Sequence, residues 1–449
     1  MQKQITIIGA GPAGLTAGLE LARKGYKPRI LESSSSPGGL CKTFELWGQL
    51  VDIGPHRFFT KNNRVYKLWR EMAGDILRVN RCTRIYFNGK YFNYPLEAKN
   101  AIINLGVSRG IKCIVSYLQG KTSKNPDTNF EYWICNRFGQ ELYNTFFKTY
   151  SEKLWGIPCT EIHTDFAAQR IKGFTLGEAI KKAIGITTNK HKTAIEEFDY
   201  PLKGTGKVYK NMAAEIIKLG GEIHYEQAVI NIDIAEKIVT TNRQRYRFDR
   251  LLSTMPITQL ISALAAPQEL INTCNKLSFR NTVLVYIELD KNPFPDNWLY
   301  IHSQELKVGR ITNFSNWGTA REKTILCMEY WCSCTDQEWN QTDKAWEELA
   351  SKEATSLGYT PTKFKVKKIS KSYPIYNLEY KNLLAPVRAF LTTKGIVAIG
   401  RYGSFRYNNQ DHSILMGILA AENEIGANHN LWEVNEDQEY QENFKLPSK

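Results

Sequence analysis

Apolar and polar positions along this chain follow two periods, and the switches between them mark its elements. The run Ile5-Thr6-Ile7-Ile8 reads as a short buried strand, and positions 15–24 repeat at helical spacing. A second apolar run, 28–31, ends at Glu32. Residues 84–94 alternate aromatic and polar around Asn88-Gly89, a hairpin signal, and Pro95 closes it. Helical spacing returns over 98–119 and 130–148, on either side of Asn125-Pro126-Asp127. A loop is expected at 200–206, then a helix to 219 and strands at 222–225 and 248–254. Runs at 282–289, 298–302, 309–316 and 324–331 predict a separate antiparallel sheet, with its helix at 343–357. A last strand at 396–400 turns toward a helix at 411–425. The chain past Asn428 is polar and acidic and is expected to fray.

The first strand and helix are joined by Gly9-Ala10-Gly11-Pro12-Ala13-Gly14. Strand, three glycines, helix, second strand and acid together make the dinucleotide-binding fingerprint. Gly9 serves the tight turn, Gly11 the approach of backbone to a pyrophosphate, and Gly14 close helix–strand packing. Glu32 sits where an acid accepts from ribose hydroxyls. Four serines then lead to Pro37-Gly38-Gly39-Leu40, where two adjacent glycines let backbone pass a bulky cofactor, so FAD is favoured over NAD. A second turn follows at Gly54-Pro55-His56-Arg57. The expected fold class is α/β: a discontinuous Rossmann-like FAD-binding domain (1–83, 200–270 and 386–430), interleaved with other domains. These are a sheet-domain hairpin (84–97), a helical insertion domain (98–199) and an antiparallel sheet domain (271–385), with a polar tail at 431–449.

Composition narrows the partners. With 449 residues, 42% of them hydrophobic, the chain can bury cores for two or three domains. The net charge of +14 is scattered, with no basic tail, so nucleic acid is not expected. An anionic small substrate in a basic cleft is the expected use; peripheral membrane association and a homo-oligomer stay open. The nine cysteines include no second Cys or His pair at metal spacing beside Cys332-Ser333-Cys334, so no metal is expected. Reduced thiols fit a cytoplasmic protein. No run approaches the ~20 apolar residues of a membrane span.

Three further blocks carry a resemblance. Phe146-Phe147-Lys148-Thr149-Tyr150-Ser151-Glu152-Lys153-Leu154-Trp155-Gly156, read alone, is an aromatic helix end of a core. The others are Trp298-Leu299-Tyr300 with Arg310 to Trp317, and Gly400-Arg401-Tyr402-Gly403-Ser404-Phe405-Arg406-Tyr407-Asn408-Asn409-Gln410. Together with the glycine segments they resemble the UDP-galactopyranose mutase family, within the amine-oxidase and protoporphyrinogen-oxidase-like flavoproteins. The resemblance implies an FAD enzyme, active when reduced, with NAD(P)H a candidate reductant. It implies interconversion of the pyranose and furanose forms of a UDP-sugar through a flavin N5–sugar adduct, in cell-surface polysaccharide biosynthesis.

By the same resemblance Arg170 and Arg310 bind the substrate diphosphate, and His56 belongs to a loop beside the flavin. Arg401, Asn409 and Gln410 lie on the cofactor side, where the last helix aims its N-terminus at the flavin. Tyr94, Phe146, Phe147, Tyr150, Trp155, Tyr300, Trp317, Tyr373 and Tyr407 line the substrate. Two positions depart from the family pattern: Trp317 stands where Tyr is usual, and Glu97 near where Gln reads the nucleotide. A net FAD oxidoreductase of the amine-oxidase or protoporphyrinogen-oxidase type is the alternative; the paired arginines argue against it.

Overall fold

The computed structural model describes residues 3–122, 126–171, 197–318 and 322–435. The chain forms two compact units from separated stretches. Met1–Arg78, Asp199–Ser278 and Glu379–Asp437 supply the first; Val79–Phe198 and Phe279–Leu378 supply the second.

In the first unit a five-stranded sheet runs in the order Ile396–Ala398, Arg250–Ser253, Ile5–Ile8, Arg29–Leu31, Glu222–His224. Every neighbouring pair is parallel. Such strands are covered on both faces, which is why they read as unbroken apolar runs rather than alternating ones. The helices Pro12–Arg23, Asn63–Ala73, Gly206–Lys218 and Gln410–Glu424 supply much of the same core, including Leu15, Leu19, Trp69, Met212, Ile216 and Ile414. Pro12 starts its helix at the first position, where a missing N–H costs nothing. Gly14 lies against the turn before it: a Cβ there would stand 2.0 Å from the Gly9 carbonyl oxygen. A small antiparallel sheet (Val229–Asp233, Ile238–Thr241, Arg245–Arg247), not expected from the sequence, completes the unit.

The second unit holds a seven-stranded sheet in the order Lys363–Pro374, Phe279–Leu289, Thr324–Cys332, Arg310–Asn313, Trp298–Ile301, Thr83–Phe87, Lys90–Asn93. The expected strands are present, with the early hairpin closed through Asn88 (φ 48°) and Gly89 (φ 76°). One pairing, Trp298–Ile301 with Thr83–Phe87, is parallel within this otherwise antiparallel sheet. The strand Lys363–Pro374 was not expected. Its five lysines and two serines look like a surface segment, and they suit a sheet edge, where charge discourages pairing with another chain. The helix Asp343–Ser356 packs on the sheet through Trp346, Ala350 and Ala354.

The expected helical region breaks at Gly106 and Gly139, both at positive φ, into Ala98–Leu105, Val107–Thr122, Phe130–Phe138 and later turns. A π-helical turn, Tyr143–Phe147, precedes Lys148–Trp155, and Thr164–Ile171 follows. The remainder of that expected domain, 172–196, lies outside the described residues. The expected loop at 200–206 begins inside a strand, Glu197–Pro201. Past Asn428 the chain docks rather than frays: Leu431, Val434 and Asn435 are buried, and Asn435 donates to the Tyr407 carbonyl at 3.1 Å. The tail from 436 on lies outside the described residues.

Gly14→Ala should cost about 1–3 kcal/mol through overpacking against backbone that cannot move aside. Calorimetric unfolding of the purified variant checks this; a melting temperature equal to the parent's would show that the turn relaxes freely.

Candidate functional site

In the first unit the glycine turn presents the start of the helix Pro12–Arg23. Its N-cap is Gly11, no side chain caps it, and no acid lies in its first turn. The free N–H groups and the positive end of the helix dipole are therefore available to an anion. The loop Gly38–Gly39 lies directly over this turn: a Cβ on Gly39 would be 3.1 Å from the Gly11 Cα, and Gly38 N–H donates to the Ala10 carbonyl at 2.8 Å. Glu32, buried at the end of the second strand, accepts from Ala10 N at 2.7 Å and Ser34 N at 2.9 Å. Leu40 follows in a single 3-10 turn, Gly39–Cys41. A bare helix start, two backbone stretches in contact, and a buried carboxylate at the ribose position fit a dinucleotide.

The later cofactor candidates belong to the same unit. Arg401 stands over the Tyr407 ring, 4.6 Å from its centroid. Asn409 caps the helix Gln410–Glu424 in a capping box with His412. Gln410 accepts from Tyr209 OH at 2.8 Å and donates to the carbonyls of His56 and Arg57 at 3.3 and 3.4 Å. Its amide thus holds the His56 loop in place. The Thr205 hydroxyl also donates to the His56 carbonyl, at 2.9 Å, and the His56 ring bonds the Gly54 carbonyl at 3.2 Å.

Beneath this loop lies Asp52, fully buried. It accepts from the Thr43 hydroxyl, from Tyr200 OH at 3.0 Å and from Thr205 N at 3.3 Å. Burial pushes its carboxyl up to about 6, against the pull of those three donors.

In the second unit the sheet register sets three side chains in a row. Tyr300 is paired with Arg310, and Arg310 with Glu329. Directly opposed residues share a face of the sheet. Arg310 forks onto the buried Glu329 carboxylate at 2.7 and 2.6 Å, and also reaches Tyr373 OH at 3.4 Å. Burial works against the charge on Arg310, and the Glu329 carboxylate overrides it, holding the guanidinium well above its usual range.

Aromatic rings surround this row. Tyr150 lies against Tyr300 at 5.6 Å, His302 at 4.6 Å and Trp331 at 5.7 Å, centroid to centroid. Tyr94 meets Tyr300 at 5.0 Å, and Trp155 meets Tyr373 at 6.2 Å. The helix bearing Tyr150 and Trp155 stops at Gly156 (φ 68°), where buried Arg280 donates to the carbonyls of Leu154 and Lys153 at 3.1 and 3.3 Å. A Cβ on Gly156 would stand 2.2 Å from that guanidinium.

So Tyr94, Tyr150, Trp155, Tyr300, Arg310 and Tyr373 come together. Phe146 is buried against Phe92 at 5.1 Å and touches the group through His302 at 6.5 Å. Phe147 stacks instead on Phe138. Trp317 is 1% exposed, packs on Phe198 and Trp298, and donates its ring N–H to the Asn297 carbonyl. It is a core residue of the unit. Arg170 belongs to the helix Thr164–Ile171, one turn after Phe166, whose ring contacts Trp155 at 4.6 Å; its side chain lies outside the described residues. Sequence reasoning passed over Glu329, His302 and Arg280. Glu329 had a readable signal: a single acid inside the apolar strand Thr324–Cys332.

The parallel sheet, the bare helix start and the buried acid after the second strand define the class of α/β proteins that bind a dinucleotide. The chain belongs to the flavin-containing amine oxidoreductase family, whose pattern matches residues 12–345. It is 29% identical over 170 residues to the probable UDP-galactopyranose mutase of Klebsiella pneumoniae, which is 36% of this chain. It is 31% identical over 168 residues, 35% of this chain, to the dTDP-fucopyranose mutase of Escherichia coli. Either match spans 43% of the relative, less than half its length. A crystal structure of reduced UDP-galactopyranose mutase superposes with a TM-score of 0.86, over 98% of this chain and 97% of that one, at 23% identity. A putrescine oxidase bound to putrescine gives 0.63 at 16% identity, over 95% of this chain and 100% of that one. At those identities the likeness shows the fold.

The Asp52 carboxyl has a folded pKa raised from its ordinary 3.8 to about 6. Its neutral form therefore favours the fold fully below pH 4, and that contribution is lost as pH rises through about 6. The loss amounts to about 3 kcal/mol. Asp52→Asn should remove this increment from urea unfolding curves taken between pH 4 and 6.5; an unchanged pH slope would contradict it.

Proposed function

We propose that the chain is a flavin-dependent mutase that interconverts the pyranose and furanose forms of a nucleotide sugar. The observation that carries this reading is Arg310, fixed by Glu329 before any ligand arrives and ringed by Tyr300, Tyr150 and Tyr373. Glu329 occupies part of the guanidinium fork; the remaining N–H groups and the tyrosine hydroxyls suit phosphate oxygens. The two nucleotide-sugar mutases among its relatives support the same substrate class.

In this reading the glycine turn and Glu32 hold the adenosine diphosphate of FAD, and Arg401, Asn409 and Gln410 support the flavin end. Bound and reduced, the flavin supplies a nucleophilic N5 for the anomeric carbon, so no side chain need act as nucleophile. Arg170 and Arg310 hold the substrate diphosphate and steady its charge as the anomeric bond breaks. Tyr94 and Tyr300 flank the nucleotide end, and Tyr373 the phosphates. His56 helps shape the flavin pocket. A UDP-sugar is the expected substrate and NAD(P)H the expected reductant. All nine cysteines are free thiols, which supports a cytoplasmic site of action.

The test is anaerobic incubation of dithionite-reduced holoprotein with UDP-galactopyranose, UDP-galactofuranose or dTDP-fucopyranose, followed by chromatography. Ring interconversion is expected with at least one. Oxygen consumption with amines or porphyrinogens, and no interconversion, would instead place the chain among the oxidoreductases.

Arg310→Ala alone would strand a buried carboxylate and unsettle the unit. The double variant Arg310→Met with Glu329→Gln avoids that, and should lower turnover about 100-fold or more while flavin absorbance stays at its parent level. Glu329→Gln alone is not the cleaner control, because it leaves the Arg310 guanidinium without its counter-charge. Equal turnover in the double variant and the parent would remove Arg310 from the site.

A further inference from the structure

Lys153 lies on the helix Lys148–Trp155, one turn past Tyr150. Its ammonium donates to four backbone carbonyls: Leu306 at 2.7 Å, Val308 at 3.1 Å, and Ile301 and Ser303 at 3.2 Å each. An ammonium has three N–H donors, so this shell saturates it. All four acceptors belong to one connecting segment, 301–308, which runs from the last residue of the strand Trp298–Ile301 toward the strand Arg310–Asn313.

Glu353, buried on the helix Asp343–Ser356, grips the same connection by its amides. It accepts from Lys307 N, and from Val308 N at 3.1 Å. The lysine gathers carbonyls and the glutamate gathers amides, so the peptide groups between them are polarised by both charges. Ser303 Oγ also accepts from Asn88 N at 2.9 Å, and the Gln304 amide donates to Thr149 at 3.3 Å. Burial pushes the Lys153 ammonium down to about 8, while Glu353 and Glu305 pull it the other way. His302, beside it, is held neutral by burial and by that ammonium, its pKa pushed down to about 3. A buried ion costs several kcal/mol unless geometry and partners offset it. Apolar residues would close an ordinary loop with less penalty. Here the loop ends are Tyr300, one residue before the connection, and Arg310, two residues after it.

We propose that Lys153 and Glu353 are a positioning pair for the nucleotide-sugar site, fixing the 301–308 connection and through it the places of Tyr300 and Arg310. Neither residue touches substrate. What the positioned residues bind rests on the mutase reading; the positioning itself rests on the geometry.

The test compares holoprotein, Lys153→Ala, Lys153→Met and Glu353→Gln in sodium buffers. Deuterium uptake over 298–313 and UDP affinity are measured with and without ammonium chloride. Lys153→Ala leaves room for a small cation; Lys153→Met fills the volume and leaves the carbonyls without a donor. Both lysine variants should keep flavin absorbance, take up deuterium faster over 298–313 and bind UDP about tenfold or more weaker. Ammonium should reverse both effects in Lys153→Ala and not in Lys153→Met, and tetramethylammonium, which has no N–H, should reverse neither. Glu353→Gln should show the same faster exchange without ammonium rescue. Unchanged exchange and affinity in the lysine variants, losses that ammonium does not restore in Lys153→Ala, or variants that do not fold at all would overturn the proposal. If exchange responds as expected while no form, parent included, binds UDP or a UDP-sugar, the mutase reading fails and the positioning pair stands.

Discussion

The second unit is organised around a carboxylate placed where an apolar side chain would ordinarily go. Glu329 occupies the middle of a strand whose other residues are buried, and Arg310 answers it directly across the ladder. Neither charge is tolerable alone at that depth. Together they fix a guanidinium in one orientation, with Tyr373 at its edge and Tyr300 beside it. A flexible surface arginine would have to be ordered by its ligand, at an entropic cost. This one is ordered by the fold.

The first unit solves a different problem with backbone instead of charge. Its glycines bring peptide groups close enough together that side chains would intrude, and the helix start is left without a cap. An orphan helix terminus is normally satisfied by a neighbouring side chain. Its absence here leaves those N–H groups available to an anion. Gln410 and Thr205 spend their own hydrogen-bonding capacity on the His56 loop, so the loop takes its shape from the unit beneath it.

The glycine fingerprint, the hairpin at Asn88-Gly89 and most strands of both sheets were legible in the sequence, because each is written in local pattern. What was not legible depends on partners far along the chain. The edge strand Lys363–Pro374 looks polar until its place at the sheet margin is known. Trp317 resembles a site aromatic by motif, yet its ring N–H meets the Asn297 carbonyl inside the core. Arg280 looks like any charged residue until the helix end at Leu154 and Gly156 closes over it. Glu329 was the exception, since a lone acid in an apolar strand can be read without a structure. Arg310 was singled out from a resemblance, and nothing in its neighbouring residues reveals the carboxylate that holds it.

The interleaved order of the first unit bears on how the chain is made. Its central strand, Ile5–Ile8, is synthesised well before the sheet's outer strand Ile396–Ala398 and the helix Gln410–Glu424, which come about four hundred residues later. A growing chain leaving the ribosome therefore carries an unfinished apolar sheet until those later segments emerge. The second unit's sheet can close first, because its strands are complete by Pro374. Contacts of such long sequence separation slow folding and expose sticky edges meanwhile. The order of the strands thus keeps the edges of this sheet open until the last of them is made.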